Sequence, residues 1–379
     1  MERKKICFVV AVHGTAISFL RDHIEALSEN YDVYLAGNIK SKESIEILKL
    51  SGYAQIPINR KISFINDLKA VWSLYRYFRK MGFSAIHSVT PKAGLVCALA
   101  GFMARVPHRI HIFTGQVWAV QKGMMCNLLM GLDKLIAKLD NHILVDSNSQ
   151  RCFLIENGIF KAKSSKVLGL GSICGVNTER FKPTEEVRIA VRNEIGISND
   201  KTVFVFMGRM NHDKGVYELL SAFDYLAETR KDVYLLLFGN DEENVAESFS
   251  NYKNLKEKEN FCYYGRTSEP YKMLQAGDVF VLPTYREGFG SSVIEAACLG
   301  LPTITSDVYG VQDASVLGVT GLQCKVGNVT SLYDTMKTMA DDATMRQTMG
   351  ANGRKRVLSD FAGAVVVKAW KNFYDSILK

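Results

Sequence analysis

Val279-Phe280-Val281-Leu282-Pro283-Thr284-Tyr285-Arg286-Glu287-Gly288-Phe289-Gly290-Ser291-Ser292-Val293-Ile294-Glu295-Ala296-Ala297-Cys298-Leu299-Gly300-Leu301-Pro302 is the stretch on which the fold turns. Its first six residues form a short apolar run that predicts a buried strand ending at Thr284. A glycine-rich turn follows, and a helix is predicted from about Ser291, with small residues on the face that packs against the sheet. Glycines in such a turn let backbone N–H groups approach a ligand, and the start of a helix adds a field that favours anions. Glu287 lies in the turn and Glu295 on the helix, so two carboxylates flank one anion-binding junction. Taken alone, the stretch also reads as a tight strand–turn–helix junction with two surface glutamates.

The pattern extends outward in both directions. Short apolar runs recur at 202–208 (TVFVFMG), 233–239 (VYLLLFG), 261–265 (FCYYG) and 301–306 (LPTITS). In the first half they recur at 5–11 (KICFVVA), 31–36 (YDVYLA), 85–89 (AIHSV), 109–114 (RIHIFT) and 142–146 (HILVD). Longer amphipathic segments separate them, which is the pattern of parallel sheets with crossover helices. The alternation restarts at Lys201 after the polar connection FKPTEEVRIAVRNEIGISNDK. At 379 residues the chain exceeds the ~250–300 that one core supports. The expected fold is therefore α/β, with two Rossmann-like doubly wound domains facing across a cleft. Residues 1–175 and 176–360 make the two domains, and 361–379 make a C-terminal helix packing back on the first. Ligands in such sheets bind beyond the carboxyl ends of the strands.

Composition narrows the class. The chain is 47% hydrophobic and 23% charged, as globular proteins are. No apolar run approaches the ~18 residues a membrane-crossing helix needs. The opening MERKKICFVVAVHG resembles a leader, but its apolar run is short and leads into a glycine turn, so a buried first strand is expected. The eight cysteines are scattered without a Cys-x-x-Cys pair and read as reduced core residues of a cytosolic protein. Residues 1–180 hold 24 Lys/Arg against 13 Asp/Glu, whereas residues 181–379 hold 23 against 26. The first half is thus suited to an anionic partner, or simply has a solubilising surface.

A second junction carries cations. The run 202–208 leads into Gly208-Arg209-Met210-Asn211-His212-Asp213-Lys214-Gly215-Val216 and an amphipathic helix. An Arg just past a strand and a Lys five residues on can converge on one diphosphate, the Arg as a planar fork and the Lys as a mobile point charge. Alone, this too reads as an ordinary solvated loop.

Together the two junctions resemble family-4 retaining glycosyltransferases of the GT-B fold. The Glu-Gly-Phe-Gly-x-x-x-x-Glu-Ala pattern from Glu287, followed by Gly300-Leu301-Pro302, resembles that family's Glu-x7-Glu signature. Gly208 to Gly215 resembles its Gly-Arg-x-x-x-x-Lys-Gly loop. The resemblance implies that Arg209 and Lys214 neutralise a departing nucleoside diphosphate and that Glu287 holds the donor sugar. It implies further that Glu295 binds the ribose, and that Phe289, Gly290, Ser291 and Ser292 flank the phosphates with backbone donors. Phe261 to Arg266 resembles the segment that reads the base, which adds Tyr264 and Arg266. Gly171 to Phe181 resembles the family's hinge, with an insertion.

The first domain matches more loosely. Its opening turn Val12-His13-Gly14-Thr15 has one glycine where the family often has two, and Gly14 is the expected approach to a sugar phosphate. Thr114-Gly115 stands where many relatives carry His-Gly, with His111 three residues earlier. His111 and Thr114 are both candidates, although His87 and His111 near strands also suit satisfied core residues. Thr114-Gly115-Gln116-Val117-Trp118 resembles the branch that builds bacterial capsule and O-antigen repeat units. That resemblance implies a UDP-sugar donor, with an N-acetylhexosamine preferred, and a lipid-diphosphate-linked saccharide acceptor. It also implies peripheral association with the cytoplasmic face of the inner membrane through the basic first domain. Within Asp67–Lys80, periodicity puts Leu68, Val71, Trp72, Tyr75 and Phe78 on one helix face, opposite Lys69, Ser73, Arg76 and Lys80, as for a core helix with a basic solvent side. The Met- and Leu-rich run 121–132 could form a ledge for a lipid tail.

No Asp-x-Asp pair is present to bind a metal, so no metal and no cofactor are expected. Neither half has the Gly-x-Gly-x-x-Gly of a dehydrogenase, and no nucleic-acid-binding pattern occurs. An epimerase or hydrolase on the same fold, or a non-catalytic sugar-nucleotide sensor, are the alternatives.

Overall fold

A computed structural model describes residues 3–59 and 63–379, and the chain divides into two units, Met1–Gly175 with Gly363–Lys379, and Val176–Ala362. In the first, β1 (Lys5–Val12), β2 (Asp32–Asn38), β3 (Gly52–Gln55), β4 (Ala85–Val89), β5 (His108–Phe113), β6 (His142–Val145) and β7 (Ser165–Lys166) form one sheet. Its order is β3-β2-β1-β4-β5-β6-β7, and every pairing is parallel. In the second, β8 (Thr202–Met207), β9 (Val233–Phe238), β10 (Phe261–Gly265), β11 (Val279–Leu282), β12 (Thr303–Ser306) and β13 (Gly321–Cys324) run in the order β10-β9-β8-β11-β12-β13, again all parallel. Both are doubly wound, with the order reversing between β1 and β4 and between β8 and β11. The strands the periodicity missed, β3, β7 and β13, are short edge strands. They are covered on fewer sides and need no continuous apolar run.

Five helices matter below: α1 (Phe64–Met81), α2 (Pro91–Met103), α3 (Gly123–Leu139), α4 (Ser291–Cys298) and α5 (Gly363–Ile377). Strand β1 is buried along its length, as the leading apolar run predicts. Helix α5 belongs to the first unit, where the Trp370 ring stacks between His23 (4.0 Å) and His87 (4.9 Å), and the His87 Nδ1 meets the Tyr374 hydroxyl at 2.7 Å.

Helix α1 corrects the periodicity reading. Ala70, Val71, Leu74 and Phe78 are its buried residues, while Leu68 and Trp72 face solvent. The buried stripe is set one residue round from the expected one, on the side where Asp67 forms an ion pair with Lys92 at the start of α2. No helix among the described residues is long and apolar enough to cross a membrane.

Candidate active site

The second unit gathers its charged groups where the sheet order reverses, at the carboxyl ends of β8 and β11. The loop after β8 and the loop after β11 are tied together by backbone and side chains. The Asp213 carbonyl accepts from the Tyr285 N–H at 2.8 Å and from the Thr284 hydroxyl at 3.0 Å. The Asp213 carboxylate accepts twice from Arg286, at 3.1 and 2.7 Å. Gly215 must lie against β11, since a Cβ there would sit 2.0 Å from the Pro283 oxygen. Neighbouring strands converge in the same way. Gly208, Gly239 and Gly265 end or follow β8, β9 and β10, with the Gly239 N–H donating to the Gly265 carbonyl at 2.9 Å. A Cβ on Gly239 would meet the Gly208 oxygen at 1.7 Å. The three glycines make a backbone shelf without side chains.

On this frame Lys214 forms an ion pair with Glu287, both largely shielded from solvent. Arg209 is half exposed and pairs with Glu242 at 2.8 Å. Asn211 links the two pairs: its amide donates to Glu242 at 3.0 Å and its carbonyl oxygen accepts the Lys214 N–H at 3.2 Å. Beyond Glu287, Gly290 begins α4 without a side-chain cap, so the first amides of the helix have no acceptor within it. Ser291 and Ser292 are half-buried there. Phe289 is buried with its ring 5.1 Å from Phe361, so it has only backbone to offer a ligand.

Glu295 lies one helical turn further on. Burial raises its carboxyl to about 7, against a lowering influence from Arg180. A carboxylate held this way, with no hydrogen bond or ion pair among the described residues, suits hydroxyl donors from a ligand.

The structure thus brings Arg209, Lys214, Glu287, Gly208 and the start of α4 together. It does not bring the Tyr264 side chain to them. Tyr264 donates to Glu194 at 3.0 Å, while Tyr263, on the other face of β10, donates to the Gly239 carbonyl at 3.1 Å. Arg266 is exposed. Sequence reasoning missed Glu242 and the Gly239 shelf. Their signal was a glycine at the end of a strand followed by an acidic run, 239–243, whose purpose appears only when β9 lies beside β8. A cavity of about 480 Å³ in this unit lies at the other end of the sheet, beside Asp278 and Pro302, and its Arg188 is paired with Asp278 at 2.7 Å.

In the first unit Gly14 follows β1, with no atom within 4 Å of where a Cβ would be. Thr114 follows β5 half-buried, its carbonyl accepting from Gln116 at 2.9 Å. His111 is a core residue, which removes it from the catalytic candidates. Its Nδ1 meets the Ser88 hydroxyl at 2.8 Å, its ring packs so closely on Gly94 that a Cβ there would lie 2.4 Å away, and burial lowers its pKa to about 3.

The family profile described as "Glycosyl transferases group 1" matches residues 187–356. Over its whole length the chain is 30% identical to the capsular polysaccharide biosynthesis glycosyltransferase CapM of Staphylococcus aureus, covering 99% of that protein. It is 24% identical to the Escherichia coli UDP-Gal:alpha-D-GlcNAc-diphosphoundecaprenol alpha-1,3-galactosyltransferase, over 83% of this chain and 81% of that one. Among solved structures, Anabaena Alr3699/HepE, determined in complex with UDP and glucose, superposes with a TM-score of 0.80 at 18% identity, covering 98% of this chain and all of that one.

Proposed function

The chain belongs to the group 1 glycosyl transferases of the GT-B fold, and from that premise we propose that it moves a sugar from a UDP-sugar to a lipid-diphosphate-linked saccharide, with retention at the anomeric carbon, in bacterial surface polysaccharide synthesis. The observation that carries this reading is the Lys214–Glu287 ion pair, a cation for the leaving diphosphate and a carboxylate for the sugar held at one strand end. In that pair each charge satisfies the other. A bound diphosphate would draw Lys214 and Arg209 to itself, releasing Glu287 to the hydroxyls of the donor sugar.

As the bond from the anomeric carbon to phosphate breaks, negative charge grows on the diphosphate. Arg209, Lys214 and the free amides of Gly290, Ser291 and Ser292 oppose it, and preorganised donors of this kind lower a barrier without reorganising. The acceptor hydroxyl attacks from the same face and its proton passes to the departing phosphate oxygen, which gives a nucleoside diphosphate and a glycoside. Glu287 supports the positive charge developing at the sugar, and Glu295 receives the ribose hydroxyls. The backbone of Tyr264 and Gly265 serves the base. Gly14 and Thr114 are the first unit's candidates for contact with sugar and acceptor. The names of the relatives support a surface-polysaccharide setting, a UDP-linked donor and an undecaprenyl-type acceptor. An acceptor of that kind places the protein at the cytoplasmic face of the inner membrane.

Lys214→Ala and Arg209→Ala are each expected to lower kcat by about 10²–10³, the size of losing one donor to a developing anion. Transfer is expected to continue in EDTA. Near-native transfer by both Glu287→Ala and Lys214→Ala overturns the assignment. Acceptor-independent release of nucleoside diphosphate points instead to a hydrolase or epimerase, and tight binding without any transfer to a sensor. A thermal-shift screen with UDP, GDP, ADP and their sugar conjugates identifies the donor.

A further inference from the structure

Three cations stand at the carboxyl ends of β8 and β11, and each has a carboxylate of its own. Lys214 pairs with Glu287, Arg286 with Asp213 and Arg209 with Glu242. In the proposed function Glu287 goes to the donor sugar, and Asp213 ties the two loops together. Glu242, on the loop after β9, has no such task.

Groups other than that pair hold the Glu242 loop. The Met210 N–H donates to the Asn240 carbonyl at 2.8 Å, and the Glu242 N–H donates to the Met210 carbonyl at 3.1 Å. The Glu243 carboxylate accepts the His212 N–H at 2.9 Å. The Asp241 carboxylate closes the following turn, accepting the N–H groups of Val245 at 2.9 Å and Ala246 at 3.0 Å. Backbone therefore brings Glu242 beside Arg209, and its charge is not needed to shape the loop.

The pair itself is suited to exchange. Arg286 gives Asp213 both Nε and Nη2, whereas among the described residues Arg209 gives Glu242 only Nη1, at 2.8 Å. The Nε edge of Arg209 can meet a phosphate oxygen before Nη1 leaves the carboxylate. The Asn211 amide donates to the same Glu242 oxygen at 3.0 Å and keeps it in place while the guanidinium moves.

We propose that Glu242 is the counter-charge that takes Arg209 back as the nucleoside diphosphate leaves, and so speeds product release. Breaking the bond from the anomeric carbon to phosphate adds negative charge to the nucleotide. Cations that favour the transition state therefore also hold the product more firmly than the donor. A carboxylate competing for one of those cations weakens the hold on the product most, where the attraction is largest. Release limits turnover in many enzymes. Glu242 acts through Arg209 and touches neither sugar nor nucleotide in this role, so it is a positioning residue. The proposal rests on Arg209 receiving the diphosphate of a UDP-sugar.

The test is surface plasmon resonance of UDP and of uridine over the immobilised full chain, with melting temperatures beside it. Glu242→Gln and Glu242→Ala should each bind UDP about fivefold more tightly, the upper worth of one exposed ion pair, through slower dissociation. Uridine, which has no phosphate, should bind all the proteins alike. In an Arg209→Ala background Glu242→Gln should change nothing. Glu243→Gln removes a charge from the same loop without touching Arg209, and should leave UDP binding close to wild type. Where wild type binds UDP, unchanged or weakened binding by both Glu242 variants overturns the proposal and leaves the function standing. Weakened binding with a lower melting temperature would mark Glu242 as a structural stitch. A gain that persists without Arg209, that Glu243→Gln equals, or that comes only from faster association overturns the proposal as well. Wild type that does not bind UDP overturns the proposed function and this role together.

Discussion

Lys214 and Glu287 are 73 residues apart in the chain and form one ion pair, so a diphosphate that draws on the lysine competes with the carboxylate for it. Glu295 gives a pH signature for that entry. Its carboxyl is pushed up to about 7 because burial disfavours the charge. If the ionised form receives ribose hydroxyls, ligand binding lowers its pKa and expels a proton. Affinity for UDP should then rise as pH climbs towards about 7 and level off above it. The terminal phosphate also titrates in this range, so the contribution of Glu295 is read as the difference from Glu295→Gln by calorimetry; parallel pH profiles for the two proteins refute the role. Asp213 and Arg286 act at one remove, holding the lysine loop to the glutamate loop. Arg286→Ala is expected to cut kcat about tenfold through misplacement, with the Kd for UDP nearly unchanged and partial recovery in Arg286→Lys. A purely structural role would lower the melting temperature without that division between kcat and Kd.

At the scale of elements, the strand ends decide what the site can hold. Gly239 has φ +145° and abuts the Gly208 carbonyl. Gly239→Ala should therefore destabilise the second unit by about 3 kcal/mol, measured as a lower urea midpoint by circular dichroism. A wild-type midpoint would mean the shelf tolerates a side chain. The central strands were legible in sequence because burial on both faces makes their apolar runs continuous. The edge strands β3, β7 and β13 and the rotation of α1 were not. Leu68 and Trp72 are apolar, as Ala70 and Leu74 are, yet it is Ala70 and Leu74 that turn inward, on the side where Asp67 pairs with Lys92.

Across the whole molecule the histidines are unevenly placed: six of the seven lie in the first unit. Burial lowers His23 and His142 to about 4 and His111 to about 3, and holds His87 well below 6.5. Unfolding returns each towards its ordinary value, so the unfolded chain binds more protons and stability is lost as pH falls from about 6.5 towards 4. Asp133 and Asp140, raised by burial to about 6 and about 8, act in the opposite sense, but the four histidines outnumber them. In the second unit Glu295, also raised, acts in that same opposite sense. The first unit should therefore weaken between pH 7 and pH 5, with no matching loss in the second. Trp72, Trp118 and Trp370 all lie in the first unit, so their fluorescence reports its urea midpoint alone. A midpoint constant over that range contradicts the assignment.

The sequence by itself determined the two doubly wound sheets and the two charged junctions. Apolar period, glycine placement and loop chemistry are local properties, written within a few tens of residues. Only the tertiary structure decided that Lys214 meets Glu287, that Arg209 is answered by Glu242, that His111 is enclosed, and that α1 turns a greasy face outward. Each of these depends on which strand lies beside which and on how a helix rotates over the sheet. Those contacts are fixed by packing between segments far apart in the chain, which no local pattern encodes.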